Sequence, residues 1–99
     1  MSKVMDIENF PIIGSLIVVD EGWEANVPSD ILLACNILLK KGSKLLVNEN
    51  SNLIANVTFE SREASIILKA SSEFHGTIFS VDGINLHMDC PPSSHERKI

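Results

Sequence analysis

Three histidines and two cysteines, with a scatter of serines, are the side chains of this 99-residue chain that could carry acid–base or nucleophilic chemistry. His75, His87 and His95 would be the bases, and Cys90 or a serine the nucleophile. Such chemistry needs base and nucleophile held within hydrogen-bond reach of each other. The sequence elements that usually do so are not written here: there is no nucleophile elbow, no P-loop, no dinucleotide fingerprint and no paired zinc-ligand spacing. The expectation is a protein that is not an enzyme and takes no metal or cofactor. His75 alternates with apolar neighbours, and His87 lies opposite Leu86 and Met88, so both are expected on a solvated face.

The elements that would position these groups are strands. Leu45, Val47, Ser51, Leu53, Ala55, Val57 and Phe59 recur as Ile66, Leu68, Ser72, Phe74, Gly76, Ile78 and Ser80, each displaced by 21 residues. Within each copy the positions lie two or four apart and share one side of an extended backbone. Period-two segments recurring at this interval are what the stacked coils of a β-solenoid require, because each coil buries its inward row against its neighbours. The fold expected is all-β: a small single-domain solenoid of three to four coils. Leu53, Val57, Phe74 and Ile78 should form its inward row.

Five short apolar runs from Leu45 to Met88, separated by Asn, Ser, Glu, Asp and Gly, leave no room for crossover helices. Asn48–Asn52 supplies corner residues, and Val81-Asp82-Gly83-Ile84 is either a corner or the turn of an ordinary hairpin. Upstream, Ile12–Val19 reads as a strand and Asp20–Glu24 as a turn. Ile31–Leu39 is ambiguous. Ser29 and Asp30 would cap a short helix there, yet the run also alternates as a strand apolar on both faces, which would be buried on both sides. The domain reading is a flexible arm over residues 1–10, a β-solenoid over 11–90 and a disordered tail over 91–99, polar and containing Pro91 and Pro92.

A hydrophobic content of 44% and a net charge of −5 suit one small soluble domain and argue against the basic face of a nucleic-acid binder. Lys40, Lys41 and Lys44 around Gly42 read as a solvated turn. No stretch has the length of a membrane span, and no membrane contact is expected. No basic, apolar and small-residue leader is written, so a reduced cytoplasmic setting is expected. There Cys35, inside an apolar run, behaves as a buried hydrophobe, while Cys90 beside the prolines is exposed.

Glu73-Phe74-His75-Gly76-Thr77-Ile78, preceded by Ile66-Ile67-Leu68 and Ser72, resembles the small-x-hydrophobic-x-Gly-x-Ile turn of bactofilins, the polymer-forming bacterial cytoskeletal proteins. Ser51–Val57 is similar to a second copy in which Ala55 replaces the glycine, and the likeness spans residues 31–88. The resemblance implies a right-handed β-helix that polymerises end to end, without nucleotide, through apolar terminal coils.

Two functions follow from this reading. The first is a structural protein whose partner is itself, with Phe74, Ile84, Leu86 and Met88 as the self-association residues, since a solenoid's last coil exposes an unpaired edge. The second is a small acidic binder, such as a phage-type inhibitor or an immunity factor. It would meet a basic partner protein through Asp20, Glu21, Trp23 and Glu24. Trp23 would otherwise cover one end of the core.

Overall fold

A computed structural model describes residues 3–7 and 14–99 of the chain. The described residues form ten strands and no helix: β1 (Lys3–Asp6), β2 (Leu16–Val19), β3 (Trp23–Val27), β4 (Leu32–Leu39), β5 (Lys44–Val47), β6 (Asn52–Phe59), β7 (Ser65–Leu68), β8 (Glu73–Phe79), β9 (Asn85–Cys90) and β10 (Arg97–Lys98). They form two five-stranded sheets, ordered β1-β3-β5-β7-β10 and β2-β4-β6-β8-β9, between which β1 to β8 alternate. The result is a β-solenoid of about four turns.

Strand register explains the recurrence in the sequence. Leu45 lies beside Ile66, Val47 beside Leu68, Leu53 beside Phe74, Ala55 beside Gly76 and Val57 beside Ile78, the 21-residue offset read from the chain. The earlier coils advance by 20 instead: Val19 lies beside Leu39, Ala25 beside Leu45 and Leu33 beside Leu53. The extra residue falls in the connection from β6 to β7. Ala64 N bonds to Ser61 O there, and none of residues 61–64 has a positive φ.

The other corners are turns with one positive φ, which in a type II turn falls at the third residue. Gly22 and Gly42 supply it on one side of the solenoid, at φ 74° and 70°. Asp30, Asn50 and Ser71 supply it on the other, at 63°, 64° and 63°. Asn and Asp tolerate this region because their short polar side chains can bond locally. The serines that follow are buried and used: Ser43 Oγ donates to Lys40 O and Ser72 Oγ to Lys69 O, each at 2.6 Å.

Inward rows from both sheets fill the interior. Leu53, Val57 and Phe74 are fully buried and Ile78 is nearly so, in one core with Val19, Val27, Ile37, Leu39, Leu45, Val47, Ile66 and Leu68. Within residues 31–39, Leu32–Leu39 forms strand β4, whose odd-numbered residues point inward. Their outer face is not buried, however. Leu32 is 68% exposed, and Ala34 and Leu38 are half-buried, so the apolar outer parity that allowed a helix reading belongs to an open surface.

The ends depart from the sequence reading. The arm over residues 1–10 is partly core: β1 pairs with β3, and Ile7 is buried with its amide bonded to Asn26 O at 2.9 Å. The remainder of that arm and the first residues of the Ile12–Val19 run lie outside the described residues. At the other end Ser80–Ile84 closes a hairpin, with Ser80 N bonded to Ile84 O at 3.1 Å, so β9 returns antiparallel along β8. The segment 91–99 is not a loose tail. It crosses to the first sheet, where β10 runs antiparallel to β7 and Ile99 exchanges two backbone hydrogen bonds with Ile66. Composition misleads here because one cation organises the segment. Arg97 donates to the carbonyls of Pro91 (2.7 Å), Ser72 (2.8 Å), Lys69 (3.4 Å) and His95 (3.3 Å).

Candidate association surface

The reversal at Ser80–Ile84 decides what the C-terminal end presents. Antiparallel register sets Cys90 beside Phe74, Met88 beside Gly76 and Leu86 beside Ile78, so these three side chains continue the inward row one strand past the last full coil. No further strand of this sheet lies beyond β9 among the described residues. The row therefore grades from core to solvent: Phe74 0% exposed, Ile78 8%, Leu86 54%, with Met88 and Cys90 half-buried. Ile84 at the turn is 64% exposed. A shallow groove of about 210 Å³ runs beside this row, walled by Phe59, Ile78, Val81 and Ile99. The Arg62–Asp82 ion pair stands at its edge.

Of the four self-association residues read from sequence, the structure brings Ile84, Leu86 and Met88 to this end. Phe74 must be removed from the set. Its ring is enclosed between Leu53 and the β9 strand, so it lies beneath this end and presents no surface.

The outer face of the same strands carries a chain of titratable groups. His75 Nδ1 lies 2.9 Å from Asp89 Oδ1, His75 Nε2 lies 3.2 Å from Glu73 Oε1, and His87 Nε2 lies 3.4 Å from Asp89 Oδ2. The Asp89 hydrogen bond first, then the Glu73 one, hold the His75 imidazole above its ordinary pKa, and the same His75 contact holds the Asp89 carboxyl below its own. Each side chain sits on the solvated side, as expected for His75 and His87. Their mutual contact was not visible in the sequence, because 14 residues separate His75 from Asp89 until the hairpin folds them together.

Alternation also sets the imidazoles apart from the thiol. His87 points out of the sheet and Cys90 along the inward row, on opposite sides of β9. Cys90 is half-buried, not exposed, because its register places it over Phe74. Cys35 is buried, and burial pushes its thiol up to about 11, which suppresses the reactive thiolate. Both thiols are free.

The residues of the acidic-binder reading gather at another corner. Asp20 Oδ1 lies 4.0 Å from Lys40 Nζ, Glu24 pairs in register with Lys44, and the Gly22 N–H donates to the Lys41 carbonyl at 3.0 Å. The stacked lysine corner thus offsets the acidic one. Trp23 packs against the core and lines a groove of about 310 Å³ with Lys3, Glu21, Glu24 and Lys44.

Comparison with protein-family models, curated proteins and solved structures gives no match. Nothing in these comparisons identifies a bactofilin. Among the described residues no helix is long and apolar enough to cross a membrane, and no group of three or more His, Cys, Asp or Glu side chains is placed to hold a metal ion.

Proposed function

We propose that this chain is a structural protein that associates with copies of itself, end to end and without nucleotide, using the C-terminal end of its solenoid. Leu86 carries the proposal. Its side chain belongs to the inward row of β9 yet remains 54% exposed, so the core is left open where the stack stops. Burying the exposed half of such a side chain against a neighbour contributes about 1–1.5 kcal/mol, half the value for a full burial. Leu16, Val18 and Leu32 are also exposed, on the outward face of the same sheet. Growth beyond a pair would need a second contact besides the C-terminal one. The acidic-binder alternative draws less support, since lysines flank its acids.

Light scattering after size exclusion, over a concentration series and with negative-stain microscopy, tests the proposal. Particle size should rise with concentration. Leu86→Glu should abolish the rise while strand content by circular dichroism stays constant, and Glu60→Lys at an exposed corner should change nothing. Persistent growth in the Leu86→Glu variant would refute a C-terminal contact. Binding to a basic protein that is lost on reversing Asp20, Glu21 and Glu24 would instead support the alternative.

A further inference from the structure

The two sheet edges at the C-terminal end are built differently. β10 is two residues long and both are cationic, Arg97 and Lys98, which is how natural proteins blunt an edge. β9 has none of those protections. It runs six residues in unbroken register with β8, and contains no proline, lysine or arginine and no bulge. Its last residue is followed by Pro91.

The free edge of β9 has a definite chemistry. In an antiparallel ladder, directly opposed residues alternate between bonded and non-bonded pairs. The Ser80–Ile84 pair is bonded, so Ile78–Leu86 and Gly76–Met88 are bonded too. The backbone N–H and C=O groups of Asn85, His87 and Asp89 are therefore those that face away from β8.

An antiparallel second copy of β9 must bond through these same odd-numbered residues. Two symmetric registers suit the central part of the strand. One centres on His87 and stacks His87 on its own copy, with Asp89 opposite Asn85. The other centres on Met88 and places each His87 imidazole opposite the Asp89 carboxylate of the other copy, twice. On the inward side it sets Met88 against Met88 and Leu86 against Cys90, while Ile84 reaches Pro92. Opposite-type cross-strand pairs stabilise and like pairs destabilise, so the two registers are not equivalent. In each copy Asp89 Oδ1 is held by His75, leaving Oδ2, now 3.4 Å from its own His87, to accept from a second imidazole. Pro91, lacking an N–H, ends the ladder beyond Asn85.

We propose that a second copy of this chain docks on the free edge of β9, as an antiparallel ladder whose two-fold axis passes through Met88. This rests on the self-association reading and specifies its contact. The inward rows of the two copies then close one continuous core, and the contact is isologous, so it makes a pair and not a filament by itself.

Disulfide trapping in a Cys90→Ser background distinguishes the registers. Opposed residues of a non-bonded pair have Cα atoms about 4.5 Å apart, within disulfide range. Met88→Cys should give a covalent dimer on mild oxidation, and His87→Cys should give little. As a check that does not touch the core, His87→Asp places carboxylates opposite each other and should raise the dimer dissociation constant roughly tenfold in sedimentation equilibrium. Self-association without trapping at Met88, or with equal trapping at His87, overturns the register but leaves the association reading standing. A native chain that remains monomeric at every concentration overturns both.

Discussion

A side chain at Gly76 would drive its Cβ to 1.7 Å from the carbonyl oxygen of Ala55, its neighbour one coil earlier. Gly76 has a φ of 155°, a backbone that aims any Cβ at the preceding strand and that only a glycine tolerates. The glycine in the Ser72–Ile78 segment thus has a steric reason that its counterpart Ala55 lacks.

Gly76→Ala should accordingly destabilise the fold by roughly 3 kcal/mol, near the upper end of overpacking and backbone strain. Ala55→Gly should cost about 0.5–1 kcal/mol, the ordinary backbone-entropy penalty. Urea unfolding of both variants measures the asymmetry, and equal losses would contradict the close approach.

The inward row gives a second expectation. Phe74→Ala should cost about 3–5 kcal/mol, since the ring is wholly enclosed, whereas Thr58→Ala on the outer face should change the midpoint little. Comparable losses at the two sites would mean that the faces are exchanged.

The His75 contacts make the β8–β9 attachment depend on pH. His75 titrates higher in the folded chain than its ordinary 6.5, so its contribution is complete below that value and is lost as pH rises through the raised folded pKa. Asp89 titrates lower than its ordinary 3.8, so its contribution is present above that value and is lost as pH falls through the depressed one. The attachment is therefore strongest between about the ordinary aspartate and histidine values. Hydrogen-exchange protection at Leu86 and Met88, corrected for the intrinsic pH dependence of amide exchange, should be highest in that mildly acidic window, and His75→Gln should flatten the alkaline side of the profile.

Arg97 provides the fourth prediction. Arg97→Ala leaves the carbonyls of Ser72 and Pro91 without their charged donor, and should lower stability by about 1.5–3 kcal/mol. Backbone exchange at Ile66, which Ile99 protects, should accelerate in the same variant. Unchanged exchange at Ile66 would show that the segment 91–99 does not depend on this cation.

The last two coils were legible in the sequence because Leu45–Ile78 repeats at a single interval. The earlier ones were not, since the residue added between Phe59 and Ser65 breaks the count and hides the pairing of Ala25 with Leu45 and of Leu33 with Leu53. The strand over Leu32–Leu39 was obscured by apolar residues on its open face. The cluster at His75 and the docking of residues 91–99 depend on the chain reversing direction at Asp82-Gly83. Local patterns carry the coil spacing, but the partners of Asp89 and Arg97 are fixed by that reversal.

The hairpin at Ser80–Ile84 also acts as a ruler. Coils that advance by equal steps have no intrinsic number, and nothing in the Leu33–Leu53 pairing distinguishes a second coil from a third. What fixes the count is the point at which the chain turns back. Copying one 20-residue unit upstream of the hairpin would lengthen the body by about 4.8 Å, one inter-strand spacing, and leave both ends as they are. Body length and end chemistry are thus separate variables in this chain, open to change one at a time.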